Sequence, residues 1–100
     1  MPFTVTITTI KPANSIFYGQ ASDAHKEIRN NINDWTAKQP GFISKTGQEY
    51  IDENTREQTL IWNTEQDYIN YNTNRAQLFE QIERKTYNNQ NGIVSTITIL

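Results

Sequence analysis

Two segments with strictly alternating polarity, one at each end of the chain, constrain the fold most. Residues 3–10 read FTVTITTI, and residues 92–100 read GIVSTITIL. A period of two with many β-branched side chains is typical of a β-strand that has one buried face. The sequence therefore predicts a strand at each end of the chain.

The first helix is predicted from a capping residue at its start, an apolar face along its length and a Pro-Gly sequence at its end. Ser22 is a candidate N-cap, and Asp23 places a negative charge in the first turn, which suits the helix dipole. Residues 39–41, Gln-Pro-Gly, end the segment. One apolar stripe at helical spacing joins Ala24, Ile28, Ile32 and Trp35. Residues 13–20, before this helix, are either a loop or a single helical turn.

The middle of the chain predicts a hairpin. Residues 42–51 form the second strand, with a candidate bulge at Gly47. Residues 52–57 form the turn, and residues 58–63 form the third strand. The pattern thus places two consecutive strands between the helices.

A second helical region follows the third strand. Thr64 and Asp67 form a T-x-x-D variant of the capping box at its start. Polar residues 72–74 are expected to divide it into two pieces, and Asn91-Gly92 closes it. Its later apolar residues are Leu78, Phe79 and Ile82.

The order of elements, β-α-β-β-α-β, is that of the ferredoxin-like α+β fold. We predict one domain, residues 1–100, with four antiparallel strands and both helices on one face of the sheet. The opposite face is left bare.

Composition excludes several classes of function. The formal charge is −2, which gives no electrostatic footprint for nucleic acid. With no cysteine and one histidine, His25, neither thiolate chemistry nor a usual metal site is expected. No apolar segment has the length of a membrane span, and MPFTVTITTI has no secretory features. We therefore expect a cytoplasmic protein with no metal and no membrane partner.

The third strand carries the candidate site. Gln58, Leu60 and Trp62 share one face because strand side chains alternate, and Tyr68 follows in the next helix. Trp62 and Tyr68 are either ordinary core residues or the wall of a cavity. We predict that Trp62 faces away from the helices and that Ile61 faces them. The threonines of the terminal strands would then lie on the face of Trp62.

Two short motifs resemble the antibiotic biosynthesis monooxygenase-like (ABM) superfamily. QPGFISKT follows the first helix, and TLIWNTEQDYINY spans the third strand and the next helix. Trp62 and Tyr68 occupy the ends of a motif that reads W-x-S-E-x-x-Y in that superfamily, with Thr64 in place of serine. The resemblance implies a dimeric α+β barrel and a cofactor-independent monooxygenase acting on phenolic polycyclic compounds.

The resemblance also implies roles for particular residues. Gln58 stands where the superfamily has an asparagine, and Trp62 and Tyr68 match its tryptophan and tyrosine. Phe79 stands at the position of an arginine, with Arg75 and Arg84 nearby. Haem-degrading relatives use a histidine near position 81, which is Gln81 in this chain, so no haem cofactor is expected.

Two classes of function stay open. As an enzyme, the chain would oxygenate or isomerise a small, largely apolar phenolic or enolisable compound, without a cofactor. Gln58 would then bind an oxyanion, Tyr68 would orient the substrate or relay a proton, and Trp62 would shape the cavity. The alternative is a non-catalytic homodimer that binds a small ligand or serves structurally. In both cases we expect a homodimer with Leu60 and Trp62 at the interface.

Overall fold

The computed structural model describes residues 2–46 and 49–100, with Glu49 described through its backbone alone. These residues form five strands, three α-helices and one 3-10 turn, Tyr18–Gln20. The strands are β1 Phe3–Ile10, β2 Phe42–Lys45, β3 Glu49–Asp52, β4 Thr55–Trp62 and β5 Val94–Ile99. The helices are α1 Asp23–Ala37, α2 Glu65–Arg75 and α3 Phe79–Gln90.

The sheet is antiparallel, with strand order β2-β4-β1-β5 and β3 also paired with β4. This topology confirms the predicted ferredoxin-like α+β fold. The second predicted strand is described as two strands that pair with β4 in turn. The predicted bulge at Gly47 lies outside the described residues. Described irregularities occur between Phe42 and Ser44 and between Tyr50 and Asp52.

The hairpin turn is shorter than the predicted 52–57. β3 ends at Asp52 and β4 begins at Thr55. The side chain of Asp52 accepts a hydrogen bond from the backbone N–H of Asn54 at 2.8 Å, and the Asn54 carbonyl accepts one from Lys11 N–H at 2.9 Å. A local side-chain bond of this kind lets two residues turn the chain. Arg56, predicted to lie in the turn, therefore belongs to a strand.

Both predicted helix caps are present. Ser22 Oγ accepts from His25 N–H at 3.2 Å, and Thr64 Oγ1 accepts from Asp67 N–H at 3.1 Å. The second helical region is divided as predicted, although the break falls at 76–78, just after the polar segment. None of the described helices combines the length and the apolar character that crossing a membrane requires.

The core lies between the sheet and the helices. Its buried cluster consists of Val5, Leu60, Trp62, Tyr68 and Tyr71. The Trp62 and Tyr71 rings lie 4.5 Å apart between centres. Since Tyr71 belongs to α2, Trp62 faces the helices.

The prediction that Trp62 faces away from the helices and Ile61 faces them is therefore wrong. Trp62 lies directly opposite Phe3, and Leu60 opposite Val5, so these residues share the helix-facing side. The prediction rests on the apolar stripes of the first helix and of the second helical region, which together were expected to fill the space under the helices. Instead, Phe79 is 67% exposed, which leaves room for the larger indole. Burial of the larger aromatic surface then decides which set faces inward.

The threonines occupy the predicted face. Thr6 lies opposite Thr59 and Thr98, and the side chains of Thr6 and Thr59 are hydrogen-bonded at 3.3 Å. Ile61, rather than Trp62, shares this side. The face away from the helices is therefore rich in threonine and lacks the two large residues that the sequence placed there.

A close contact joins the loop before β2 to the start of α2. Gly41 has φ of +81°, and its carbonyl accepts a hydrogen bond from Asn63 N–H at 2.7 Å. A Cβ at this position would overlap the carboxyl group of Asp67. Only glycine adopts this conformation readily and leaves this space free.

Candidate ligand cavity

A cavity of about 610 Å³ lies between the helix-facing side of the sheet and the three helices. Its size falls in the range of small-molecule sites in proteins. Its apolar wall includes Ile7 and Leu60 from the sheet and Ile32 from α1. This cavity lies on the helix side of the sheet, whereas the sequence analysis placed Trp62 and Gln58 on the opposite, threonine-rich side.

The predicted site residues divide between this cavity and the core. Gln58 lines the cavity, whereas Trp62 and Tyr68 are absent from its described lining. Both rings pack in the aromatic cluster with Tyr71, which does reach the cavity. Burial raises the pKa of Tyr68, so its hydroxyl stays protonated at neutral pH. The predicted catalytic roles of Gln58, Trp62 and Tyr68 are not tested by this arrangement and stay predictions.

The polar wall of the cavity is cationic. No carboxylate belongs to the lining among the side chains that the structure describes. The basic side chains at the wall are Lys45, Arg56, Arg75, Arg84 and Lys85. These are five of the nine basic residues in a chain whose net charge is −2. The cavity wall is therefore positively charged, although the chain as a whole has a net negative charge.

Three of these groups have pKa values below their ordinary ones, and in Arg56, as in Lys45 and Arg84, burial is the main cause. Burial, together with the charges of Arg84, Arg29 and Arg56, lowers the pKa of Lys45 to about 8. Burial and the charge of Arg75 lower the pKa of Arg84 to about 10. About a tenth of Lys45 is therefore neutral at pH 7, while Arg84 keeps its charge.

Arg56 is held over an aromatic ring. Its guanidinium carbon lies 4.6 Å from the centre of the Phe17 ring, which is within cation–π range. Its Nε and Nη1 are buried and have no hydrogen-bond partner among the described atoms. Arg56 and Gln58 project from the same side of β4, about 7 Å apart along the strand. The side chains of Arg56 and Gln58 thus line the cavity from one strand, with the Nε and Nη1 of Arg56 packed against the protein.

The arginines of the second helical region reach the cavity from the other side. Arg75 donates to Asn72 Oδ1 at 2.7 Å, and Arg84 donates to Gln81 Oε1. Phe79, which the resemblance aligned with an arginine, is exposed and outside the described lining. Arg75 and Arg84, one on each side of the helix break, supply cationic side chains instead.

The sequence pattern does not indicate that Lys45 and Arg56 line a cavity. Arg56 was assigned to a turn, although it continues the two-residue alternation of Gln58, Leu60 and Trp62. Lys45 lies opposite Leu60 across β2 and β4. The extended alternation could have identified Arg56, whereas the bulge in β2 conceals the face of Lys45.

The described part of the chain contains no group of three or more histidine, cysteine, aspartate or glutamate side chains placed to hold a metal ion. The cationic wall itself offers lysine and arginine, which are donors at neutral pH and therefore poor metal ligands.

The fold is shared with several solved structures. SnoaB from Streptomyces nogalater, a cofactor-independent oxygenase, superimposes with a TM-score of 0.66 at 12% identity, covering 99% of this chain and 90% of that one. A candidate antibiotic biosynthesis monooxygenase from Nitrosomonas europaea gives 0.64 at 13% identity, covering 98% and 88%. The protein PA3566 from Pseudomonas aeruginosa gives 0.64 at 14% identity, covering 100% and 93%.

These similarities define the chain as an α+β protein with the ABM-like fold, as the sequence motifs predicted. At such low identities the likeness establishes the fold alone. No protein-family profile matches the sequence, and no curated protein matches it.

Proposed function

We propose that the protein is a cofactor-independent monooxygenase that acts on a small phenolic or enolisable compound in the helix-side cavity. One observation carries the proposal: an amide, a lysine with a lowered pKa and several guanidinium groups converge on one cavity with an apolar wall. Apolar walls with a few convergent polar groups are typical of small-molecule sites. The fold shared with SnoaB, itself an oxygenase, supports the same class.

The proposed chemistry begins with loss of a proton from the substrate. Neutral Lys45 accepts a proton from an acidic C–H or phenolic O–H group, as lysines tuned toward neutral pH can do. Gln58 Nε2 and the Arg56 guanidinium stabilise the resulting oxyanion. The electron-rich carbanion then reacts with molecular oxygen, and a CH₂ group becomes a carbonyl with release of water. One O₂ is consumed, one of its oxygen atoms enters the product and the other leaves as water.

Trp62 and Tyr68 take part in this proposal as positioning residues. Tyr71 lies between them and the cavity, with its ring 4.5 Å from Trp62 and 6.2 Å from Tyr68 between centres. A packed aromatic layer restrains the Tyr71 ring, because close-packed cores transmit shape changes to their neighbours. Trp62 thus shapes the cavity through Tyr71 rather than by contact with a ligand.

An oxygen-electrode assay tests the function. In metal-free buffer, with dihydroxyanthrone as the substrate, oxygen uptake should match formation of the quinone, one to one. Gln58→Leu should lower the rate roughly 100-fold, as loss of an oxyanion donor does. Gln66→Leu, which changes an exposed amide on α2, is the control. Ligand binding without oxygen uptake would favour the non-catalytic binding alternative.

We also propose a homodimer formed through the threonine face. Leu60 and Trp62, which motivated that expectation, lie on the other side of the sheet. The support now comes from exposed apolar residues on the bare face, Ile10 at 50% and Val94 at 62% exposure. Ile10 and Val94 lie directly opposite each other in neighbouring strands, so they form one continuous patch.

A further inference from the structure

The cationic wall has no described counter-charge. The groups that perturb Lys45 are the three arginines at positions 84, 29 and 56, and each of them disfavours its positive charge. The lining described by the structure adds no carboxylate. Positive charges held together in a partly desolvated cavity destabilise the folded chain unless an anion joins them. This arrangement of charges is therefore suited to a negatively charged ligand.

Arg56 supplies the specific recognition element. Its side chain lines the cavity next to Gln58, and the lining that the structure describes offers its positive charge no carboxylate. The Phe17 ring packs against the guanidinium and fixes its plane. A guanidinium at the wall of a cavity is suited to a carboxylate or phosphate, with which it forms charge-assisted hydrogen bonds.

The remainder of the wall requires an apolar body on the same ligand. Ile7, Leu60 and Ile97 line the sheet side of the cavity, and Ile82 lines the helix side. An inorganic anion would leave these surfaces in contact with water, whereas a ring system would cover them. The volume of about 610 Å³ accommodates both parts of such a ligand.

We propose that the ligand of this cavity is an organic acid, in which an apolar ring system bears a carboxylate or phosphate group that Arg56 and Arg84 bind. The inference rests on the proposed function for the location of the substrate and adds its charge. The acidic group anchors one end of the molecule at Arg56. The ring system extends past Gln58 toward Tyr71.

Matched probes test this proposal by titration calorimetry in chloride buffer. Naphthoate and naphthamide have the same size and differ in charge, naphthyl phosphate carries the alternative anion, and inorganic phosphate lacks the ring. We expect naphthoate or naphthyl phosphate to bind roughly 10- to 100-fold more tightly than naphthamide, the range of a charge-assisted hydrogen-bonded pair. The tighter of the two anions identifies the acidic group. Inorganic phosphate should bind more weakly than either.

Variants locate the effect. Arg56→Met should reduce the preference for naphthoate over naphthamide to less than about threefold, and Arg84→Met should reduce it in part. Lys38→Met, at an exposed position after α1, should leave the preference unchanged. Melting curves establish that each variant is folded, and if Arg56→Met unfolds the chain, Arg84→Met alone decides.

Several results would overturn the inference. These are equal binding of naphthoate and naphthamide, a preference that survives both arginine variants, binding of inorganic phosphate alone, or binding of no probe. Since titration needs no turnover, failure of the oxygenase function is distinguishable. Anion-dependent binding without oxygen uptake would contradict the proposed oxygenase function and support an organic acid as the ligand. Oxygenation of neutral substrates alone would support the oxygenase function and contradict the organic acid.

Discussion

The guanidinium of Arg56 lies over the ring of Phe17, with its central carbon 4.6 Å from the ring centre. This contact joins β4 to the segment before α1 and holds a charged group at the cavity wall. A double-mutant cycle with Phe17→Leu and Arg56→Met should give a coupling free energy of about 0.5–2 kcal/mol in urea unfolding. The same cycle with Lys38→Met in place of Arg56→Met should give none. Equal coupling in the two cycles would contradict a specific contact.

Lys45 should make stability depend on pH. Its pKa in the folded chain is about 8, below the ordinary 10.5, so the unfolded chain binds more protons at this residue between those values. The free energy of unfolding contributed by Lys45 should therefore rise with pH, beginning near pH 8. Urea unfolding from pH 7 to ~9.5 should show this rise in the wild type. The Lys45→Met variant should show no such rise and should be more stable than the wild type at pH 7, whereas Lys38→Met should show the same rise as the wild type. If the rise persists in Lys45→Met, a group other than Lys45 causes it.

Trp62 should behave as a core residue. Because the ring is fully buried against Tyr71 and Phe42, Trp62→Ala should lower the free energy of unfolding by about 3–5 kcal/mol. Ile69→Ala, at an exposed position on α2, should cost less than about 1 kcal/mol. Trp62→Phe provides a milder change if the alanine variant does not fold. Similar losses at positions 62 and 69 would show that the indole is not part of the core.

Gly41→Ala should destabilise the chain for two separable reasons. The positive φ costs about 1–3 kcal/mol for any other residue, and the new Cβ meets Asp67. Gly92→Ala is the matched control, because φ there is +68° and the nearest contact is the ring edge of Pro12 at 3.2 Å. Chemical unfolding should therefore show a larger loss at Gly41, and the difference should shrink in an Asp67→Ala background. Equal losses in both backgrounds would exclude the contact.

The proposed dimer predicts a solution mass of two chains at micromolar concentration, measurable by light scattering. Thr6→Arg, at the centre of the threonine face, should give a folded monomer because the proposed interface would bury a charged side chain without a partner. Thr73→Arg, on the exposed surface of α2, should keep the dimer. A wild type of monomer mass, or a Thr6→Arg variant that is still dimeric, would rule out this interface.

The strands and helix caps could be predicted because their signals are local. The alternation of residues 3–10, the caps at Ser22 and Thr64 and the Asn91-Gly92 stop each depend on a few neighbouring residues. The face of Trp62 could not be predicted in this way. Alternation shows that Gln58, Leu60 and Trp62 lie together, but the choice of side depends on what the helices bring, and the exposure of Phe79 reverses it. Which face of a strand is buried therefore depends on the packing of the whole domain and not on the strand's own sequence.

The residues that line the cavity could be predicted only in part. Gln58 lines the cavity, and the arginines near Phe79 reach it. Arg56 was missed because a two-residue turn looks longer in a sequence rich in polar residues. The cationic character of the wall arises only when β2, β4 and α3 come together, so no single segment of the sequence signals it.

The contact between Gly41 and Asp67 makes the two sequence motifs into one structural unit. The carboxyl group of the acidic residue in the helix cap fills the space that a side chain at the glycine of the Pro-Gly-Phe turn would need. Each residue therefore limits which residues the other position tolerates. Across related sequences that keep this backbone conformation, glycine should therefore predominate at the first position, and any larger residue there should accompany a smaller residue at the acidic position. A pattern that demands both together should recognise distant members of this fold more selectively than either motif alone.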